Sequence, residues 1–266
     1  MSALFDLPVA ATLNQRIPLP LLMKAAQNRS LPENLRHALL TATWARSAVL
    51  GNSAQARALG PQLGQEFPEL VKYVSEYNSS PDDSSREFAA VFAMLHFPGV
   101  RPYVNAGVLR EAPLAKIDDF RDNWWGEDVG GRPGTQNFAK GCGAWREWRE
   151  RITAAGSGQA GPPAKTLNPD WPSFLSSKER NAADSDWNRL QNLGPAPNYF
   201  GRVVLAWAKA HREDPRVPEA LHLVVRSSRY GCNNRETGLF SRQAFELLHR
   251  RYPNSEWANK TTHWFE

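Results

Sequence analysis

The chain has 266 residues, of which 41% are hydrophobic and 22% charged, and its net charge is +5. This length holds one large domain or two small ones with ample core, so size alone requires neither metals nor disulfides. The positive charge is spread along the whole chain without a helix-turn-helix, zinc-finger or RNP motif, which argues against a nucleic-acid partner. No run of about eighteen apolar residues occurs, so the sequence predicts no membrane span.

The first part of the chain has the apolar spacing of amphipathic helices. One stripe recurs at steps of three and four and consists of Leu35, Leu39, Ala42, Ala45, Ala48 and Val49. Three more helical segments follow: SAQARALGPQLGQEF, in which Pro61 is a candidate break, PELVKYVSEYN and SSREFAAVFAMLHF. We therefore predict an N-terminal helical lobe over residues 1–125, with no strand pattern.

Residues 126–170 have a different composition, rich in glycine, proline and tryptophan. The stretches GEDVGGRPGTQNFAKGCGAW and AAGSGQAGPPAKTLNPDWP predict a long loop or a linker between two lobes. Helical patterns resume over residues 171–266 and continue to the final segment SEWANKTTHWFE.

Two joints in the C-terminal region resemble each other. Pro215 and Pro253 are 38 residues apart, as are Ala220 and Ala258, and each pair lies between the end of one amphipathic helix and the start of the next. This spacing predicts a repeated helical hairpin, in which each pair of helices buries its apolar face against the next pair.

The second joint resembles tetratricopeptide repeats, in which a Tyr-Pro-Asn-Ser turn precedes an aromatic residue and an alanine. The matching residues are Tyr252, Pro253, Asn254, Ser255, Trp257 and Ala258. The resemblance implies an all-α fold of antiparallel helix pairs, stacked as a right-handed solenoid and interrupted here by the long loop. More loosely, the chain resembles the C-terminal part of large uncharacterised bacterial envelope proteins, and its start reads like the interior of a longer polypeptide.

The two cysteines, Cys142 and Cys232, leave two alternatives open. They form a disulfide in an oxidising compartment, or they are free thiols in a reduced protein. The sequence does not fix the compartment. The envelope resemblance and the disulfide alternative favour a periplasmic or secreted location over a cytoplasmic one.

Motifs for catalysis are missing from the sequence. It contains no HExxH, GxSxG or GxGxxG, and GGRPGTQNFAKG lacks the GK[ST] ending of a phosphate-binding loop. No tight cluster of zinc-ligand spacing occurs either. The sequence therefore favours a non-catalytic protein, and we expect no catalytic residue, metal or cofactor.

The stretch RDNWWG, residues 121–126, allows two interpretations. In the first, Trp124 and Trp125 fill a groove between helices, and a neighbouring polar group accepts an indole N–H. In the second, segment 121–151 is a partner-binding surface, because tryptophan and arginine are enriched at binding hot spots. Its candidate residues are Trp124, Trp125, Trp145, Arg146, Trp148 and Arg149.

Together these patterns predict a scaffold that mediates protein assembly, since helical solenoids present extended binding surfaces. The alternative is an envelope protein that binds or cleaves glycans and uses tryptophans as sugar platforms. A protein partner or subunit is therefore the first expectation, and a glycan is the second.

Overall fold

The computed structural model describes residues 5–104, 124–125, 169–229 and 234–265, together with the backbone of 2–3 and 108–109. Within these residues nearly all regular structure is helical, which confirms the all-α prediction. The exception is a two-residue antiparallel pairing of Ser2–Ala3 with Val108–Leu109, which the sequence pattern did not predict.

The described residues of the N-terminal region contain six α-helices and one short 3-10 turn. They are α1 Leu7–Gln15, α2 Leu19–Ala26, α3 Glu33–Val49, α4 Ser53–Glu66, the turn Pro68–Leu70, α5 Val71–Ser79 and α6 Asp83–His96. The candidate break at Pro61 does not occur, because α4 continues through this residue. Capping explains where α6 begins: the Asp82 carboxylate accepts from the Ser85 N–H at 2.8 Å, and the Ser85 hydroxyl oxygen accepts from the Asp82 N–H.

Five further α-helices occupy the described C-terminal residues. They are α7 Ser177–Gln191, α8 Ala196–Ala210, α9 Val217–Ser227, α10 Arg235–Arg251 and α11 Glu256–Lys260. The helical patterns predicted in this region are thus confirmed as helices, except that the last helix ends at Lys260. The remaining residues, Thr261–Phe265, form an irregular tail.

Helix α6 lies at the centre of the molecule. Every residue from Phe88 to Leu95 is buried, so this helix is apolar on all sides, unlike a surface helix with one apolar stripe. It packs against α3 and α5 on the N-terminal side and against α8 and α9 on the C-terminal side. The two predicted helical regions therefore share one continuous hydrophobic core.

Two successive helical hairpins form the C-terminal end. Helix α8 packs on α9 and α10, and α9 packs on α10 and α11, so each helix contacts the next two along the chain. The helices α8 and α10 approach closely at Gly201, where an added Cβ would lie 2.7 Å from the Cβ of Phe240. No helix in the described part of the chain is long and apolar enough to cross a membrane.

Candidate functional site

The tryptophan pair predicted as a binding surface lies in the core. Trp124 and Trp125 expose 1% and 0% of their surface. The Trp124 indole donates to the carbonyl oxygen of Met94 in α6 at 2.8 Å, and the Trp125 indole donates to the Gly194 carbonyl at 3.1 Å. Both indole N–H groups are thus satisfied inside the protein, as burial requires.

Aromatic contacts fix this pair between α6 and α8. The rings of Trp124 and Trp125 meet Phe200 edge-on, with centroids 6.4 and 5.2 Å apart. The Trp125 backbone carbonyl also accepts from the N–H of Ala196, the first residue of α8. These contacts join the two helical regions and leave neither indole accessible to a partner in this structure.

Several other predicted residues lie outside the described part of the chain. Four of them belong to the proposed binding segment, and two are the cysteines of the disulfide alternative. They are Trp145, Arg146, Trp148, Arg149, Cys142 and Cys232.

A polar contact joins α6 to α9 through His96 and Glu219. The His96 Nδ1 lies 2.8 Å from the Phe92 carbonyl oxygen, and its Nε2 lies 3.1 Å from a Glu219 carboxylate oxygen. Both neighbours are hydrogen-bond acceptors, so each ring nitrogen faces a polar group inside the protein. The contact therefore acts as a tie between the two regions, with neither nitrogen left for catalysis.

An adjacent network is centred on Arg216, just before α9. Arg216 donates to both oxygens of Asp214, at 2.9 and 2.6 Å, and to Glu76 of α5 at 3.2 Å. The Trp207 indole donates to the same Asp214 carboxylate at 2.9 Å. Burial raises the pKa of Asp214, but the hydrogen bonds from Arg216 and Trp207 together outweigh burial and leave this pKa below its ordinary value.

These bonds make the Arg216 network a structural strut. Its carboxylates are engaged by a guanidinium, and the bond with Asp214 raises the pKa of Arg216 further. A general acid or base needs a poised proton and access to substrate, and the strongly paired Asp214 is poor in both respects. Chemistry is therefore not favoured at the joint between the two regions.

Thr261 holds the tail against α9 and α10. Its hydroxyl oxygen lies 2.7 Å from His222 Nδ1 in α9, and its carbonyl oxygen accepts from His249 Nε2 in α10 at 2.7 Å. The Thr261 hydroxyl itself donates to the Trp257 carbonyl, so His222 Nδ1 is the donor in their contact. Burial, followed by the charges of Arg226 and Lys260, lowers the pKa of His222 to about 4.

An exposed apolar surface lies beside this tail. We call it the C-terminal aromatic surface and define it by Leu239, Arg242, Phe245 and Trp264. Leu239 is 55% exposed and Trp264 36%. The Trp264 ring lies 5.1 Å from that of Phe245, and the Arg242 guanidinium lies 5.8 Å from the Trp264 ring centroid. Tryptophan and arginine side chains at one place are typical of interface hot spots.

One group of side chains has the composition of a metal site. Within the described residues, Glu33, His37 and Glu66 bring three ligand atoms within 4.8 Å of one another. Sequence reasoning missed this group because Glu66 is remote along the chain. Its visible half was the pair Glu33 and His37, four residues apart on α3.

The sequence did not predict the C-terminal aromatic surface either, because its residues are also remote along the chain. Leu239 and Trp264 are 25 residues apart (264 − 239) and belong to different elements. The density of tryptophans favours segment 121–151 instead. Only the structure reveals which aromatic residues are buried.

Comparisons with known protein families, with curated proteins and with solved structures find no match to this chain. The likeness to tetratricopeptide repeats therefore depends on the residues quoted above.

Proposed function

We propose that this chain is a non-catalytic helical-repeat scaffold that binds a protein partner through the C-terminal aromatic surface. The observation that carries the proposal is the exposure of Leu239 and Trp264 in this surface, beside helices α8 to α11, which pack on one another in succession. The spacing of 38 residues between the two joints supports a helical repeat.

The packing of the repeated positions supports this proposal. Ala220 and Ala258 occupy corresponding places in α9 and α11 and are 0% and 2% exposed. A small side chain at each place lets a neighbouring helix approach, and Gly201 has the same effect between α8 and α10. Stacked hairpins of this kind bury one face on the preceding pair and leave another face for the next pair or for a partner.

The chemistry of the exposed face favours a protein over other ligands. Leu239 and Arg242 are three residues apart on α10 and so share one side of the helix. Arg242 is 61% exposed, and its Nε donates to Glu246 at 2.8 Å. Because a guanidinium has five N–H donors, the same side chain can also bind an acidic group of an incoming chain. A partner with an apolar side chain flanked by a carboxylate fits this surface best.

Affinity capture with matched variants tests the proposal. The full chain should capture one stoichiometric protein from cell extract, and the double variant Leu239→Glu with Trp264→Ala should lose that protein. The control is Val71→Glu with Phe174→Ala, because these side chains are also exposed, at 47% and 73%, but lie elsewhere. Equal capture by both double variants would refute the role of the C-terminal aromatic surface.

The same experiment distinguishes a protein-binding scaffold from a glycan-binding protein. A sugar platform needs an accessible aromatic face, and Trp264 is the most exposed tryptophan in the described residues. Recovery of glycan fragments without protein, again lost on Trp264→Ala, would replace the scaffold with a glycan-binding role.

A further inference from the structure

We propose that Glu33, His37 and Glu66 form a site for a divalent transition-metal ion, with zinc as the expected occupant. Their three ligand atoms lie within 4.8 Å of one another, and they come from two different helices. An imidazole nitrogen with two carboxylate oxygens is a ligand set that zinc accepts, and water then completes four-coordination.

The local fold directs all three groups to one point. Glu33 is the first residue of α3 and His37 lies one turn later, so both side chains are on the same side of the helix. Glu66 is the last residue of α4, which packs against α3. The ring of Phe67 meets the His37 ring edge-on at 4.8 Å and thereby restricts its orientation.

The distances are close to those of a tetrahedral metal site. His37 Nε2 lies 2.7 Å from Glu66 Oε2 and 3.7 Å from Glu33 Oε1. Around zinc, with bonds of about 2.0–2.2 Å, two ligand atoms at the tetrahedral angle are separated by about 3.3–3.5 Å. These two separations bracket this value, and the third pair, Glu33 with Glu66, lies within 4.8 Å, so rotation of the side chains must bring the two carboxylates together around the ion.

Arg36 supports Glu66 from the other side. Its guanidinium binds Glu66 Oε1, whereas Oε2 is the atom that faces His37. An outer group that holds one carboxylate oxygen orients the other toward the metal.

Exposure provides a route for the ion. The Glu33 side chain is 75% exposed, whereas those of His37 and Glu66 are 13% and 22% exposed. The two more buried ligands are pre-positioned, and the exposed Glu33 carboxylate can complete the site from the solvent side. A bound ion would connect the start of α3 to the end of α4, 33 residues later in the chain (66 − 33).

Zinc titration of the purified full chain tests the site. Every protein used carries Cys142→Ser and Cys232→Ser, so that thiols do not contribute, and has no histidine tag. Isothermal titration with zinc chloride should show one saturable site per chain. The variants His37→Gln and Glu33→Gln should each weaken zinc binding at least about tenfold, while far-UV circular dichroism stays unchanged.

The matched control is His96→Gln. This change also removes a half-buried histidine paired with a single glutamate, Glu219, but it leaves the three proposed ligands intact. It should bind zinc like the parent. The proposal is overturned if the parent has no saturable site, or if His37→Gln binds zinc as tightly as His96→Gln does.

Discussion

Tryptophans in two parts of this chain have opposite surroundings. Trp124 and Trp125 are enclosed between α6 and α8, each with its indole N–H bound to a backbone carbonyl. Trp264 lies in the tail, over a third exposed, next to Arg242 and Phe245. A dense run of aromatic residues therefore acts as structural packing in this chain, and a single exposed tryptophan is the better candidate for binding.

The strongest test of this contrast is the loss of a buried indole. Trp125→Ala should lower the free energy of unfolding by about 3 to 5 kcal/mol, because it leaves a cavity between α6 and α8. Trp264→Ala should cost less than about 1 kcal/mol, since solvent already reaches that ring. Urea denaturation followed by circular dichroism measures both, and similar losses would contradict the contrast.

A smaller effect should follow from adding a methyl group at the close contact between α8 and α10. In Gly201→Ala the new Cβ would lie 2.7 Å from Phe240 Cβ and Cγ, so α8 and α10 must shift apart. We expect a loss of about 1 to 3 kcal/mol in thermal or urea unfolding.

The matched control for this change is Gly64→Ala in α4. There the nearest side-chain atom, Val71 Cγ2, is 3.3 Å from the added Cβ, and alanine is the better helix former. Gly64→Ala should therefore be close to neutral. An equal loss in both variants would show that the α8–α10 contact is not specially tight.

The smallest expected effect depends on pH and concerns the contact that holds the tail. Burial lowers the pKa of His222 to about 4 in the folded chain, below its ordinary value of 6.5. The contribution of His222 to the free energy of unfolding is fully present above about pH 6.5, where the ring is neutral in both states. It is lost as pH falls toward 4, because the unfolded chain binds the proton at a higher pH than the folded chain does. The loss should be on the order of 1 kcal/mol, since the ring is only half-buried and solvent screens part of the effect.

Urea unfolding of the parent and of His222→Gln at pH 7 and pH 4.5 measures this contribution. Glutamine keeps a donor for Thr261 but does not titrate. The parent should lose more stability than the variant between the two pH values, and parallel losses would assign the pH dependence to other groups.

Much of the fold is predictable from sequence, because helical periodicity indicates where the helices are. On the α3 stripe, Leu39, Ala42, Ala45 and Ala48 are buried as the pattern predicts, whereas Leu35 and Val49 are only partly buried. The stripe does not predict that every residue from Ala38 to Ala48 is buried, on all sides of the helix. Arg46 on the same helix is buried too, and its Nε donates to the Pro102 carbonyl at 3.1 Å. No local pattern could reveal this, since its partner comes from a segment beyond α6.

The candidate sites were harder to predict for the same reason. The spacing of Glu33 and His37 is visible in one helix, but the third group, Glu66, reaches them only through the packing of α4 on α3. Likewise, the resemblance at residues 252–258 predicts a hairpin but does not indicate that Leu239 and Trp264 remain exposed. Both sites depend on packing between residues that are far apart in the sequence, and local sequence patterns do not predict that packing.

The buried stretch 88–95 of α6 has a consequence for how the chain folds. Residues 88–95 pack against α3 and α5, which precede them in the chain. They also pack against α8 and α9, which follow more than a hundred residues later. A chain emerging from the ribosome must keep this apolar stretch from aggregating until α8 and α9 are made. The core around α6 is thus completed late in synthesis, and the two helical regions should unfold together as one cooperative unit.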